Sequence, residues 1–313
     1  MGRGQGRPRF LIAVGAVACA AAAAADFPVR DARWLQTPDL AADLTRQPPE
    51  CLSLPDDPAQ RRSAEIGRIA FRDPLLLGGQ AARAGLSCST CHKNGRSNVH
   101  FHFPGLSGEP GTADVTNSLM SSHRGDGIFN PKPIPDLAGD PARLKVSRDP
   151  RTKGLATFIH GLITQEFDGA EPPPIVLEGL AAYVRSLSPT ACHAQREEPI
   201  RLHAMLQDVD TAVRLAQQSY DTGDTDTARF LIGAARSTLG KIDERFELPG
   251  DEGSRAVLRD AAADLKVIEL ADVMSTDAFR DWRRLWPARV QKLRADEGKS
   301  LFSEAVVRRT LGN

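Results

Sequence analysis

Apolar positions follow a helical period in two blocks of the chain, with a long aperiodic stretch between the elements of the first. Residues 63–71, Ser-Ala-Glu-Ile-Gly-Arg-Ile-Ala-Phe, set Gly67 and Phe71 on one face at i and i+4, which predicts a helix. Pro174 opens a second run in which Val176, Leu180, Tyr183, Val184 and Leu187 share a face. Residues 104–154, by contrast, are rich in Gly, Pro, Asp and Ser and carry Pro131-Lys-Pro-Ile-Pro-Asp. Such a stretch is expected to form ordered loops wrapped around something rather than regular elements.

Beyond Cys192 the period becomes regular. Leu202–Tyr220 and Ala228–Phe246 read as two amphipathic helices broken by Asp221-Thr-Gly-Asp-Thr-Asp. Pro249-Gly-Asp-Glu-Gly precedes a third over Val257–Met274. A fourth covers Thr276–Ala295, where Pro287 is expected to introduce a kink, and a short last helix covers Lys299–Leu311. The short connections predict an antiparallel helical bundle over residues 199–313. Trp282 and Trp286 at i, i+4 read as core, and no pairing of His and carboxylates suggests a metal there. The bundle reads as a docking or dimerisation module.

Composition narrows the class. Among 313 residues, 41% are hydrophobic and 5% aromatic, so the chain is globular and poor in strand-favouring side chains, and the fold class expected is all-α. Forty basic residues balance forty acidic ones, which argues against nucleic acid as a partner. No apolar run of membrane-spanning length occurs outside the N-terminus.

At that N-terminus, Arg3, Arg7 and Arg9 precede an apolar run from Phe10 that dissolves into alanines ending at Ala25. Residues 1–25 read as a secretory signal peptide. Lipoprotein anchoring at Cys19 is disfavoured because Ala16, not a branched aliphatic residue, stands three positions before it. Cleavage removes three Arg and no acid, leaving 37 basic groups against 40 acidic, a net charge of −3. The expected location is periplasmic, where disulfides persist. Cys51, Cys88, Cys91 and Cys192 then remain.

Cys88-Ser-Thr-Cys91-His92 is a C-x-x-C-H sequence, the attachment signature of c-type haem. Two thiols three positions apart reach the two vinyl groups of one porphyrin, and the adjacent imidazole reaches the iron. A chain of this composition contains the pentapeptide by chance in roughly two of a thousand shufflings. A thioredoxin-like redox pair would want a βαβ setting, and a zinc site would want a second ligand pair, whereas Cys51 and Cys192 are isolated. The expected cofactor is therefore one covalent haem c, on Cys88 and Cys91, with His92 as proximal iron ligand.

A leading helix with Gly67 and Phe71, then the motif, then a closing helix reading Leu-Ala-Ala-Tyr-Val-Arg-Ser-Leu resembles a class I cytochrome c. The resemblance implies that the two helices cross, with Gly67 allowing close contact with the aromatic Tyr183. Ile66-Gly-Arg-Ile-Ala-Phe-Arg-Asp-Pro-Leu-Leu-Leu and Gly-Leu-Ser-Cys-Ser-Thr-Cys-His, separated by few residues, are similar to the N-terminal haem domain of bacterial cytochrome c peroxidase and MauG-like proteins. Thr112-Ala-Asp-Val-Thr-Asn-Ser-Leu and Arg124-Gly-Asp-Gly echo later landmarks of that family. The resemblance covers roughly residues 60–190. It implies a c-type cytochrome domain over residues 59–192, preceded by an N-terminal extension over 26–58.

Members of that family carry two haem motifs, and this chain has one. A lone haem supplies single electrons more readily than the pair that peroxide needs, so an electron carrier between periplasmic redox partners is the leading expectation. A peroxidase-like enzyme and a haem sensor with an open or displaceable distal ligand are the alternatives. The distal side decides between them. Met120 is the leading candidate distal ligand, with His102 and His123 as alternatives; His100 and His160 are further imidazoles in the region. Lys93, Arg96 and Arg83 are expected to form a basic rim for a redox partner protein. With the helices crossed as the resemblance implies, Cys51 and Cys192 bracket the domain and form a candidate disulfide. Closing so long a loop is worth roughly 4–5 kcal/mol in the chain-entropy picture.

Overall fold

Capping chemistry starts the first elements. In the computed structural model, which describes residues 27–116, 119–192 and 196–312, Asp39 accepts from the Ala42 N–H and opens α1 (Leu40–Thr45). The expected signal segment 1–25, with Cys19, lies outside the described residues, as do Asn117 and Ser118 of the later family landmark. After the two-residue strand β1 (Arg46–Gln47), Asp57 caps α2 (Pro58–Phe71), whose first position is a proline with no N–H to leave unsatisfied. A single 3-10 turn (Pro74–Leu77) leads into α3 (Gly79–Ala84), ended by Gly85 at φ +76, and then into the one-turn α4 (Cys88–Cys91).

The Gly- and Pro-rich stretch does form loops. Within it β2 (Thr112–Ala113) pairs with β3 (Lys132–Pro133) over two residues. It ends in α5 (Gly154–Gly161), which runs into a π-helical turn over Leu162–Glu166, before α6 (Pro174–Ser186). Strand β4 (Glu198–Pro199) then returns to pair antiparallel with β1.

α2 and α6 cross at two glycines. Gly67 faces the backbone of Gly179, so closely that a Cβ on Gly67 would meet the Gly179 carbonyl oxygen at 1.8 Å. Gly67 therefore meets a second glycine rather than Tyr183. The Tyr183 ring instead packs on Phe71, with centroids 5.1 Å apart.

α7 (Leu202–Asp221), α8 (Thr225–Glu244), α9 (Glu252–Leu270) and α10 (Thr276–Asp296) pack in sequence, and α10 closes back onto α7. Each buries the stripe its period predicts, among them Leu206, Val213, Leu231, Leu239, Leu258 and Leu265. Pro287 lies inside α10. The last helix, α11 (Glu304–Thr310), leaves this ring. Only seven residues long, it sets Val306 and Val307 against Phe27, Val29, Ala41 and Leu44 of the N-terminal extension, packing on α1.

The fold is mostly helical, about 58% helix and 5% strand, as the composition predicts. No helix among the described residues is long and apolar enough to cross a membrane. α7 and α8 also pack on α2, so one hydrophobic core runs from Cys51 to Phe302.

Candidate functional site

The Cys88–His92 segment is held by local hydrogen bonds that its own sequence supplies. The Ser87 N–H donates to Thr90 Oγ1 at 3.0 Å, and the His92 N–H donates to the Cys88 carbonyl at 2.8 Å. The motif thus closes one helical turn, with Cys88 and Cys91 three positions apart on one side of it. The chain then reverses through Asn94 (φ +53) and Gly95 (φ +75). Asn94 is the residue type that enters this conformation at least cost after glycine. Its side chain fixes the turn, accepting from Arg72 Nη2 at 3.1 Å and donating to the Pro48 carbonyl at 2.9 Å.

The His92 ring is aimed by the Pro-rich loop. His92 Nδ1 lies 3.0 Å from the Pro135 carbonyl oxygen. A carbonyl only accepts, so Nδ1 carries the hydrogen and the Nε2 lone pair is left for a ligand. Pro135 is itself fixed on both sides. The Ile134 N–H donates to Gly111 O and the Leu137 N–H to Gly95 O, both at 2.9 Å. Asp136 accepts twice from Arg96 Nε, at 2.9 and 2.8 Å.

Burial controls the titration of all three motif side chains. It pushes the Cys88 and Cys91 thiols up to about 12 and the His92 imidazole down to about 4, against the pull of the Pro135 carbonyl. At neutral pH the thiols are protonated and the imidazole is neutral. Protein surrounds all three, yet each retains partial solvent access. Cys88 and Cys91 pack on the apolar cluster that contains Phe71, Leu86, Phe103 and Tyr183.

Of the expected distal candidates, the structure buries one completely. Met120 has no solvent exposure and belongs to the same apolar cluster. It is anchored by its neighbour: Ser121 Oγ donates to Gln165 O at 2.6 Å and accepts from the His123 and Arg124 N–H groups. The histidines have other surroundings. His123 is 59% exposed and 4.0 Å from Asp168. His160 Nε2 lies 2.7 Å from Glu171 Oε2, and His100 Nδ1 lies 2.7 Å from Asp43 Oδ2. The His102 N–H donates to the Trp34 carbonyl in a short extended pairing with the N-terminal extension.

Cys51 and Cys192 are joined by a disulfide. Two members of the expected basic rim turn inward instead: Lys93 Nζ donates to the Asp43 carbonyl at 2.7 Å, and Arg96 holds Asp136. Arg83 stays exposed beside Gln80. Lys93 is held by the N-terminal extension and Arg96 by the Pro-rich loop.

Sequence reasoning missed an ionic cluster between the motif and the α7–α10 helices. Arg68 and Arg72 of α2 bridge Glu50 and Asp208; Arg68 Nη2 is 2.8 Å and Arg72 Nη2 3.0 Å from Glu50, and both also reach Asp208. Tyr183 donates to Glu50 Oε1 at 2.7 Å, and Lys241 Nζ donates to the Arg72 carbonyl at 2.6 Å. The partners are far apart in sequence and no local spacing marks them. A cleft of about 650 Å³ lies nearby between α2 and α7, lined by Arg61, Arg62, Glu65, Arg214 and Asp221, and contains none of the motif residues.

The donor set is of the kind that a covalently held metalloporphyrin uses: two thiols on one turn and a neutral imidazole whose Nδ1 is held by a carbonyl. Zinc would require four ligands, and among the described residues no cluster of three or more His, Cys, Asp or Glu is present. Compared with protein-family models, with curated proteins and with solved structures, the chain matches none.

Proposed function

We propose that this protein holds one haem covalently through Cys88 and Cys91, with His92 as the proximal iron ligand, and moves single electrons between redox partner proteins. The observation that carries this reading is the aimed imidazole. The Pro135 carbonyl holds His92 Nδ1–H beside a helical turn that presents both thiols. Bound there, haem supplies a one-electron ferric/ferrous couple.

The chain's own residues do the rest. α4 spaces the thiols, Pro135 fixes the tautomer and angle of the imidazole, and Phe71, Leu86 and Tyr183 limit water around them. Met120, wholly buried in the apolar core, would be the further side chain to hold the iron beside His92. A thioether there favours electron transfer over ligand chemistry. The resemblance of the Gly67–Phe71 helix, the C-x-x-C-H motif and the closing helix to a class I cytochrome c supports the same reading.

The basic, then apolar, then alanine-rich residues 1–25 support export to the periplasm, and the Cys51–Cys192 disulfide is compatible with it. Expression with covalent haem-attachment machinery, followed by intact mass on denatured protein, tests the proposal. One haem added to the wild type, and none to Cys88→Ala/Cys91→Ala, is the expected result.

One observation favours the sensor alternative in part. Asn94, two residues after His92, is tied by Arg72 to Asp208 of α7, so a change at the motif has a polar route into the bundle. If that route signals, Asp208→Asn alters partner binding without altering the haem spectrum.

A further inference from the structure

We propose that the Cys51–Cys192 disulfide is a redox-exchange site that accepts two electrons from a dithiol, in addition to closing the chain. Arg96 is the residue that distinguishes this bridge. Its Nη1 stands 3.3 Å from Cys51 Sγ and 3.5 Å from Cys192 Sγ, while its Nε is committed to Asp136. Neither sulfur of a disulfide is charged, so a structural bridge gains little from a guanidinium. Once the bond opens, the same guanidinium stabilises a thiolate. It therefore favours the reduced pair over the oxidised one and makes the disulfide easier to reduce.

Access gives the exchange a direction. Cys51 is wholly buried, whereas Cys192 keeps partial exposure. An incoming thiolate reaches Cys192 Sγ, forms a mixed disulfide there and breaks the Cys51–Cys192 bond. Cys51 leaves as a thiolate beside Arg96 and later takes up a proton, with the Pro49 carbonyl 3.6 Å away as hydrogen-bond acceptor. The second thiol of the reductant then attacks its own sulfur in the mixed disulfide and releases Cys192. Two electrons and two protons pass to the pair, and the reductant leaves as a disulfide.

The position adds meaning. Asp136, the carboxylate that holds Arg96, directly follows Pro135, whose carbonyl orients His92. The disulfide is thus connected to the candidate one-electron site through Arg96, Asp136 and the Pro135 carbonyl, but its chemistry does not depend on haem being bound.

The test equilibrates the full-length folded protein with graded ratios of reduced to oxidised dithiothreitol. Alkylation and mass measurement then count the thiols at Cys51 and Cys192, while circular dichroism follows the fold. The pair should open with the helices intact. Arg96→Gln should require roughly tenfold more reduced dithiothreitol, the equivalent of one unit of lost thiolate stabilisation, and Arg96→Lys should fall between them. Asp136→Asn, which frees the Arg96 charge, should shift the midpoint the other way. An unchanged midpoint in Arg96→Gln and Asp136→Asn, or a bridge that opens only as the helices melt, overturns the proposal. Because thiols are counted with or without haem, failure here is distinct from failure of the haem reading.

Discussion

Gly67 and Gly179 meet backbone to backbone where α2 crosses α6, and neither position has room for a side chain. A Cβ on Gly67 would overlap the Gly179 carbonyl, and one on Gly179 would come within 2.8 Å of the Ser63 carbonyl. Backbone cannot move aside as a side chain can, so Gly67→Ala must push the two helices apart. A loss of about 3 kcal/mol is expected in urea unfolding, with Phe71–Tyr183 packing disturbed. A loss below about 1 kcal/mol contradicts the close crossing.

The Glu50 cluster makes stability depend on acid pH. Burial alone raises the carboxyl, but Arg72 and Arg68 outweigh it and hold Glu50 down to about 2, against an ordinary 4.5. Unfolding therefore takes up a proton between those values. The stabilisation is complete above about pH 4.5 and fades as the pH falls toward 2, by about 3 kcal/mol at most. Glu50→Gln should flatten the fall of stability measured across that window. An equal slope in variant and wild type would remove Glu50 from the account.

Arg245 ties the two ends of the chain together. Only 5% exposed, it donates from Nη1 to Leu301 O at 3.1 Å and from Nη2 to Leu44 O at 2.9 Å, with its guanidinium 5.0 Å over the Phe302 ring. Arg245→Met keeps the apolar stem and orphans two buried carbonyls. A cost of about 3 kcal/mol is expected, together with faster proteolysis at residues 27–45 and 301–312. Uniform loss of protection across the whole chain would instead place Arg245 in the general core.

Met120 and the histidines give opposite expectations. With haem attached, Met120→Ala should change the absorption spectrum and let added cyanide or imidazole bind. His123→Ala should leave the spectrum as it is, since His123 is 59% exposed and near Asp168. His102→Ala is expected to do the same. Ligand binding unlocked by a histidine variant and not by Met120→Ala would reassign the distal side.

Much of the helical framework was legible because it rests on local periodicity. The stripes of α7 to α10, the Gly67–Phe71 face of α2 and Pro174 at the start of α6 all follow from spacings of one to four residues, whereas the start of α2 at Pro58 lies five residues before the periodic stretch 63–71. The departures arise from contacts between distant segments. α11 leaves the ring because Val306 and Val307 find an apolar partner in residues 27–44. Lys93 and Arg96 turn inward because their partners, Asp43 and Asp136, lie about forty residues away or more. The crossing glycine meets Gly179, one turn before the aromatic that the resemblance implied. The Pro135 carbonyl that aims His92 belongs to a loop whose composition announces turns but not their destination.

The central claim is that Cys88, Cys91 and His92 hold a covalent haem. The most direct measurement is the intact mass of the exported, acid-denatured protein alongside its ferric and ferrous absorption spectra. The expected result is one haem that survives denaturation, is lost in Cys88→Ala/Cys91→Ala, and is low-spin in both oxidation states. A protein made with attachment machinery that emerges at its bare polypeptide mass, with two alkylatable thiols at Cys88 and Cys91, would contradict it.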